Sequence, residues 1–137
     1  MKEAISSGII LFNENDNVRK YLLLNYPTGH WDFIKGGIED GENPHQTSIR
    51  ETKEETGIDD IVFVDGFKEE IEYFFRANNL NIHKKVIFFL AGTNSVDVTL
   101  SHEHLNFVWL DYKSALKKLT YDNAINLLKK ADSFLQN

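Results

Sequence analysis

The segment from Asn43 to Gly57 constrains this chain most, because it dictates a helix and then loads it with charge that a helix should reject. Asn43 can cap, Pro44 suits the first helical position, and Gln46 falls where a capping box takes Glu or Gln. Gly57 supplies the stop. The spacing predicts a helix over 44–56. Residues three and four apart share a helix face, so Glu51, Glu54 and Glu55 crowd together. Like charges so placed destabilise a helix by roughly 0.2–0.5 kcal/mol per pair. Glu54 and Glu55 also fall near the C-terminal end, where the helix dipole disfavours anions. Arg50 and Glu54 form an i,i+4 pair, but in the less favourable order. Ile49 is the only strongly apolar residue of the segment, so packing alone does not account for it. Such a face is either fully solvated or built to hold a cation.

The flanking sequence alternates strand-like and helix-like patterns. Ala4 to Phe12 reads as a buried strand and Lys20 to Asn25 as its hairpin partner, joined through the polar cluster Asn13 to Asn17. Trp31 to Ile34 reads as a short strand, followed by a glycine-rich loop from Lys35 to Glu42. Ile61 to Val64 and Glu69 to Arg76 read as two further strands, with a turn from Ala77 to Asn81. Lys84 to Ala91 is a β-branched and aromatic run that fits a central strand, and Phe107 to Leu110 a late short one. Lys113 to Leu119 and Asp122 to Leu135 have helical spacing. The second aligns Ala124, Leu127, Leu128, Ala131 and Leu135 in one stripe. The order predicts an α/β fold with a mixed β-sheet sandwiched between α-helices. A length of 137 residues suits one domain, 1–137.

The chain has no cysteine, which excludes disulfides and a thiolate metal site and fits a reducing compartment. The apolar run near the N-terminus spans Ile9 to Phe12, too short for a signal segment or a membrane span. A cytoplasmic, monomeric protein without membrane attachment is expected. The net charge of −6 makes nucleic acid a poor partner, since neutralising phosphates needs Lys and Arg. An anionic substrate would need a divalent cation to mediate its approach. Mg²⁺ takes oxygen ligands, which three carboxylates beside a glycine loop can provide. Lys117-Lys118 and Lys129-Lys130 read as helix solvation, and Trp31 and Trp109 as core.

Gly36, five residues, Glu42, seven residues, then Arg50-Glu51-Thr52-Lys53-Glu54-Glu55-Thr56-Gly57-Ile58 resembles the Nudix box over about 36–58. Thr52 departs from the bulky aliphatic usual at its position. A hydroxyl facing the core needs a hydrogen-bond partner. Thr at that position is similar to the asymmetrical bis(5'-nucleosyl)-tetraphosphatases, the diadenosine tetraphosphate hydrolases. So are His30-Trp31-Asp32-Phe33-Ile34-Lys35-Gly36-Gly37, Gly66 to Tyr73, Lys84 to Leu90, and Leu100 to His104 followed by Trp109-Leu110. Asp32 and Phe33 fit that subfamily less well.

The resemblance implies a Nudix fold and metal-dependent hydrolysis of a nucleoside polyphosphate, with diadenosine tetraphosphate cleaved to ATP and AMP by water attack on phosphorus. Other Nudix pyrophosphohydrolase activities, on nucleoside triphosphates or RNA 5' ends, and a non-catalytic nucleotide sensor are the alternatives. It implies that Glu54 and Glu55 bind Mg²⁺ or Mn²⁺, with Glu51 a further ligand or a base. Glu103 comes from a separate loop as the base or an additional ligand. The Gly36 or Gly37 carbonyl would complete the coordination. Arg50 would orient the glutamates and tie back to Glu42. Lys35 and Lys84 or Lys85 would hold phosphates, and Tyr73 would stack on adenine near His30 or Phe107. His102-Glu103-His104 lacks the i,i+4 spacing of a helical zinc pair, and no third ligand is evident.

Overall fold

Two asparagine-containing turns set the strand pairing in the computed structural model, which describes residues 1–136. Asp16 and Asn17 have φ of 54° and 64° and join β1 (Lys2–Asn15) to β2 (Val18–Asn25). Asn78 and Asn79, at 52° and 63°, join β5 (Val62–Ala77) to β6 (Leu80–Gly92). Consecutive left-handed residues make the hairpin turn whose twist matches that of the strands, and Asn and Asp tolerate it. The two strands read from Ile61 to Arg76 are therefore one. The apparent break is a register shift between Phe63 and Lys68, where Gly66 takes a φ of 91°. Trp31 to Ile34 does the opposite and splits. β3 (Trp31–Asp32) pairs with β2, whereas β4 (Ile34–Gly37) crosses to pair with β1.

The sheet runs β3-β2-β1-β6-β5, with β4 also on β1 and β7 (Asn106–Leu110) on β2. β1 and β6 run parallel; the remaining pairs are antiparallel. Central strands covered on both faces read as continuous apolar runs, and β1, β2 and β6 do. Ile10, Tyr21, Leu23, Val86 and Phe88 point to one face, where α2 (Tyr112–Lys118) and α3 (Asp122–Gln136) bury Ala115, Ala124, Leu127 and Ala131. Ile9, Leu11, Leu22, Leu24, Ile87 and Phe89 point to the other, toward Ile58, Val98 and Leu100.

On that second face lies α1 (Pro44–Thr56), whose bounds are those the sequence predicts. The Asn43 side chain accepts from the Gln46 amide while Gln46 returns a bond to Asn43, and Gly57 closes the helix at φ 77°. Its buried side is polar: Thr47, Ser48, Thr52, Glu55 and Thr56, while Ile49 is exposed. Hydroxyl bonds fix it to β1, with Ser48 Oγ 2.8 Å from Ser7 Oγ and 3.1 Å from the Gly8 carbonyl. Thr52 is fully buried, and its hydroxyl donates to the Ser48 carbonyl at 2.7 Å. That bond is how a hydroxyl is accommodated where an aliphatic side chain is usual. No helix among the described residues is long and apolar enough to cross a membrane.

Candidate active site

β4 presents alternate residues to the two faces of the sheet. Gly36 lies opposite Ser7 and faces α1; Lys35 lies opposite Gly8 and faces the side of α3. On the α1 side, Glu51, Glu54 and Glu55 each offer an oxygen within 4.8 Å of the others. A Cβ at Gly36 would fall 2.0 Å from the Glu51 carboxyl carbon, so only glycine leaves the carboxylate its place. Arg50 holds the group from outside. It donates to Glu42 at 2.7 and 3.1 Å, to Glu51 at 3.1 Å and to the Gly37 carbonyl at 2.9 Å, with Glu54 at 3.3 Å. The Arg50 bond pulls the Glu42 carboxyl down to about 2, whereas burial pushes Glu51 up against the opposing charge of Arg50. Arg50 thus ties the glutamates to Glu42, as the resemblance implies, and also engages the Gly37 carbonyl.

Glu55 is buried and doubly held. Its Oε2 accepts from Ser101 Oγ at 2.7 Å and lies 2.5 Å from His104 Nδ1. Glu103, between those two residues, is exposed and stands outside the carboxylate group; its backbone N–H donates to Ser101 Oγ at 3.3 Å. The Ser101 and His104 contacts have no local signal, because they join positions 46 and 49 residues apart in the chain.

The other side of β4 opens on a cleft of about 430 Å³. His30, Lys35 and Tyr73 line it, together with Asp32 and with Tyr121 and Asn123 at the start of α3. Lys35 Nζ pairs with Asp32 at 3.1 Å. Lys84 lies opposite Tyr73 on the same sheet face, half-buried, and its pKa is lowered by burial and by Lys35. Tyr121 and Asn123 escape the sequence reading, which records only the apolar stripe of that helix.

Two expectations fail on strand alternation. Phe107 lies opposite Leu24 and packs into the α1-side core, so it is not near Tyr73. Lys85 points away from Lys84, to the α1 face, where it pairs with Glu70 at 3.7 Å; it is not a cleft residue. A chain of rings joins cleft and carboxylates. Tyr121 lies 5.2 Å from His30, His30 stacks on Tyr26 at 4.7 Å, and Tyr26 meets the His104 ring edge-on at 4.5 Å. The Tyr26 phenol is raised well above its ordinary value by burial, and by the charges of Asp32 on one side and Glu55 and Glu51 on the other.

A glycine-gated group of carboxylates on a capped helix, next to a cleft across one strand, defines a class. The NUDIX domain profile matches residues 2–130, and the chain belongs to the Nudix family. Among its relatives, the asymmetrical bis(5'-nucleosyl)-tetraphosphatase of Caenorhabditis elegans is 33% identical over 95% of both chains. That of Rattus norvegicus is 34% identical over 93% of this chain and 92% of its own. The crystal structure of a C. elegans Ap4A hydrolase binary complex superposes with a TM-score of 0.85 at 33% identity, covering 97% of this chain and 98% of that one. These relatives make the chain a Nudix pyrophosphohydrolase, in a family that uses divalent metals.

Proposed function

We propose that this protein hydrolyses dinucleoside tetraphosphates asymmetrically, diadenosine tetraphosphate giving ATP and AMP, with Mg²⁺ or Mn²⁺. The observation that carries this reading is the placement of the carboxylate group and the aromatic cleft on opposite sides of β4, one residue apart at Gly36 and Lys35. The likeness to asymmetrical tetraphosphatases over almost the whole chain supports the same substrate class.

Carboxylate and carbonyl oxygens are the donor set a hard divalent cation takes, and the three glutamates bring theirs within 4.8 Å of one another, with Gly36 leaving Glu51 its place. Glu51, Glu54 and Glu55 would hold the ion, with the Gly36 carbonyl beside them. When bound, the cation supplies charge that polarises phosphate oxygens and lowers the pKa of water. The remaining roles fall to the chain. Burial disfavours the charge on Glu51, and sharing that charge relieves the cost. Glu103, exposed on its loop, is free to accept the proton of the attacking water. Lys84 is half-buried with no carboxylate partner among the described residues, so a phosphate oxygen would restore the favourable environment its ammonium lacks. Lys35 would share its charge between Asp32 and a phosphate. Tyr73 and Tyr121 offer ring faces to a base, with His30 between Tyr121 and the carboxylates.

A panel of nucleotides with Mg²⁺, products separated by chromatography and formed in ¹⁸O-labelled water, tests this. ATP plus AMP from diadenosine tetraphosphate, with label in one product, is expected. Inertness toward that substrate, with turnover of nucleoside triphosphates or RNA ends, would refute the substrate class.

A further inference from the structure

Outside the helix, the residues that touch a candidate ligand most closely are Ser101 and His104. Ser101 Oγ donates to Glu55 Oε2 at 2.7 Å, and His104 Nδ1 reaches the same oxygen at 2.5 Å. The carboxylate only accepts, so the His104 ring presents its Nδ1–H. The His104 side chain is 5% exposed and braced by the Tyr26 ring, whereas its buried Nε2 has no partner among the described residues. Backbone bonds dock the same loop on the end of α1: Thr99 N–H to the Thr56 carbonyl at 2.9 Å and Ser101 N–H to the Glu55 carbonyl at 3.3 Å. His104 N–H in turn bonds the Ser101 carbonyl at 3.3 Å, closing a short turn around residues 102 and 103.

We propose that Ser101 and His104 are positioning residues: they saturate Glu55 Oε2, leave Oε1 as the single ligand oxygen, and hold Glu103 at a fixed offset from the carboxylate group. One oxygen with two donors is a poor further ligand, so Glu55 binds in one orientation rather than swinging between two. Glu103 sits between the two anchors in sequence, so the contacts that orient Glu55 also limit where Glu103 can go. Outer partners of metal-binding carboxylates are worth roughly 10- to 100-fold in metal affinity or activity. The bracing Tyr26 ring also stacks on His30 at the cleft.

This inference rests on Glu55 being a metal ligand, and the test separates the two ideas. Mn²⁺ binding to the folded protein is followed by electron paramagnetic resonance for wild type, H104A, H104N, H104Q and S101A, with kcat and KM for diadenosine tetraphosphate alongside. An Asn amide nitrogen occupies the place of Nδ1; a Gln amide reaches toward Nε2. Loss of roughly tenfold or more in Mn²⁺ affinity is expected for H104A and H104Q, with recovery in H104N and a smaller loss in S101A. The kcat should fall further than KM rises. A lowered melting temperature with unchanged Mn²⁺ affinity in H104A overturns the proposal, as does rescue by Gln rather than Asn. If H104A does not fold, the Asn and Gln pair and S101A decide: equal affinities in all three overturn it. Absence of Mn²⁺ binding by wild type refutes the metal reading itself, and this inference with it.

Discussion

Replacing Gly36 with alanine should abolish most turnover while leaving the fold nearly intact. The added Cβ would lie 2.0 Å from both Cδ and Oε1 of Glu51 and 2.5 Å from Oε2. Ordinary contact begins at 3.4 Å, so the carboxylate must retreat by about 1.4 Å. It can do so, because it is the end of a flexible side chain, and Gly36 itself has no left-handed φ that alanine would strain. The charge-assisted bond from Arg50 is lost, a cost of about 1.5–3 kcal/mol for this largely buried pair. Alanine recovers about 0.4–1 kcal/mol by restricting the unfolded chain. The net change in stability should stay below about 2.6 kcal/mol. A misplacement on the order of 1 Å in a catalytic group costs about 100-fold in rate, equivalent to about 2.7 kcal/mol in the barrier. Steady-state kcat on diadenosine tetraphosphate, read beside urea melts, measures both quantities. The three atoms nearest the added Cβ all belong to Glu51, so G36A in an E51A background should add almost nothing, as contacting residues couple. A folded G36A within about threefold of wild-type kcat, or full additivity with E51A, would refute the reasoning.

Three other outcomes follow from the same geometry. E54Q should lower kcat at least about tenfold, the about 1.4 kcal/mol of a weakened ligand, and near-wild-type turnover in a folded variant would remove Glu54 from the ligand set. Y73A should raise KM at least about fivefold with a smaller effect on kcat, since stacking on a base is worth about 1–3 kcal/mol; K85A, on the other sheet face, should leave KM unchanged. The Glu42 carboxyl is held far below its ordinary 4.5, so its contribution to stability is fully present above that pH and is lost as pH falls toward about 2. Urea melts should therefore show wild type more stable than E42Q at pH 7, with the gap narrowing markedly by pH 3, and a constant gap would show that Glu42 gains nothing from Arg50.

The bounds of α1 were legible because caps are local: Asn43, Pro44, Gln46 and Gly57 act on neighbours within a turn. The carboxylate face was legible for the same reason, since helical spacing alone brings Glu51, Glu54 and Glu55 together. The sidedness of the sheet was not. Both faces are buried, so apolar alternation does not say which neighbour faces α1 and which faces α3. Phe107 and Lys85 were misplaced on that account, each by a single step along a strand. Tyr121 and His104 were missed because what makes them useful is a partner far along the chain, Tyr73 across the cleft for one and Glu55 for the other. The break between Val64 and Glu69 misled through Gly66, whose left-handed φ marks a bulge in a continuing strand rather than its end.

Strand alternation also explains why the site can be built on so short an element as β4. Its four residues pair with Ser6 to Ile9 of β1, and each step along it changes the face addressed. Lys35 goes to the cleft, and Gly36 opens space for Glu51 on the far side. A slip of one residue would send the lysine side chain into the carboxylate group and leave the cleft without its cation, so register here is chemistry as well as packing. Gly8 protects that register. A Cβ at Gly8 would fall 2.9 Å from Lys35 Cβ and 2.8 Å from Phe88 Cε1, closer than packed carbons tolerate. Any side chain there would have to push β4 outward, and both halves of the site would move with it. The hydroxyl bonds of Ser7 to Ser48 and the Pro44 carbonyl, one residue before Gly8, fasten α1 to the same stretch of β1. One four-residue segment of β1 thereby sets the position of the helix that bears the carboxylates and of the strand that separates them from the cleft.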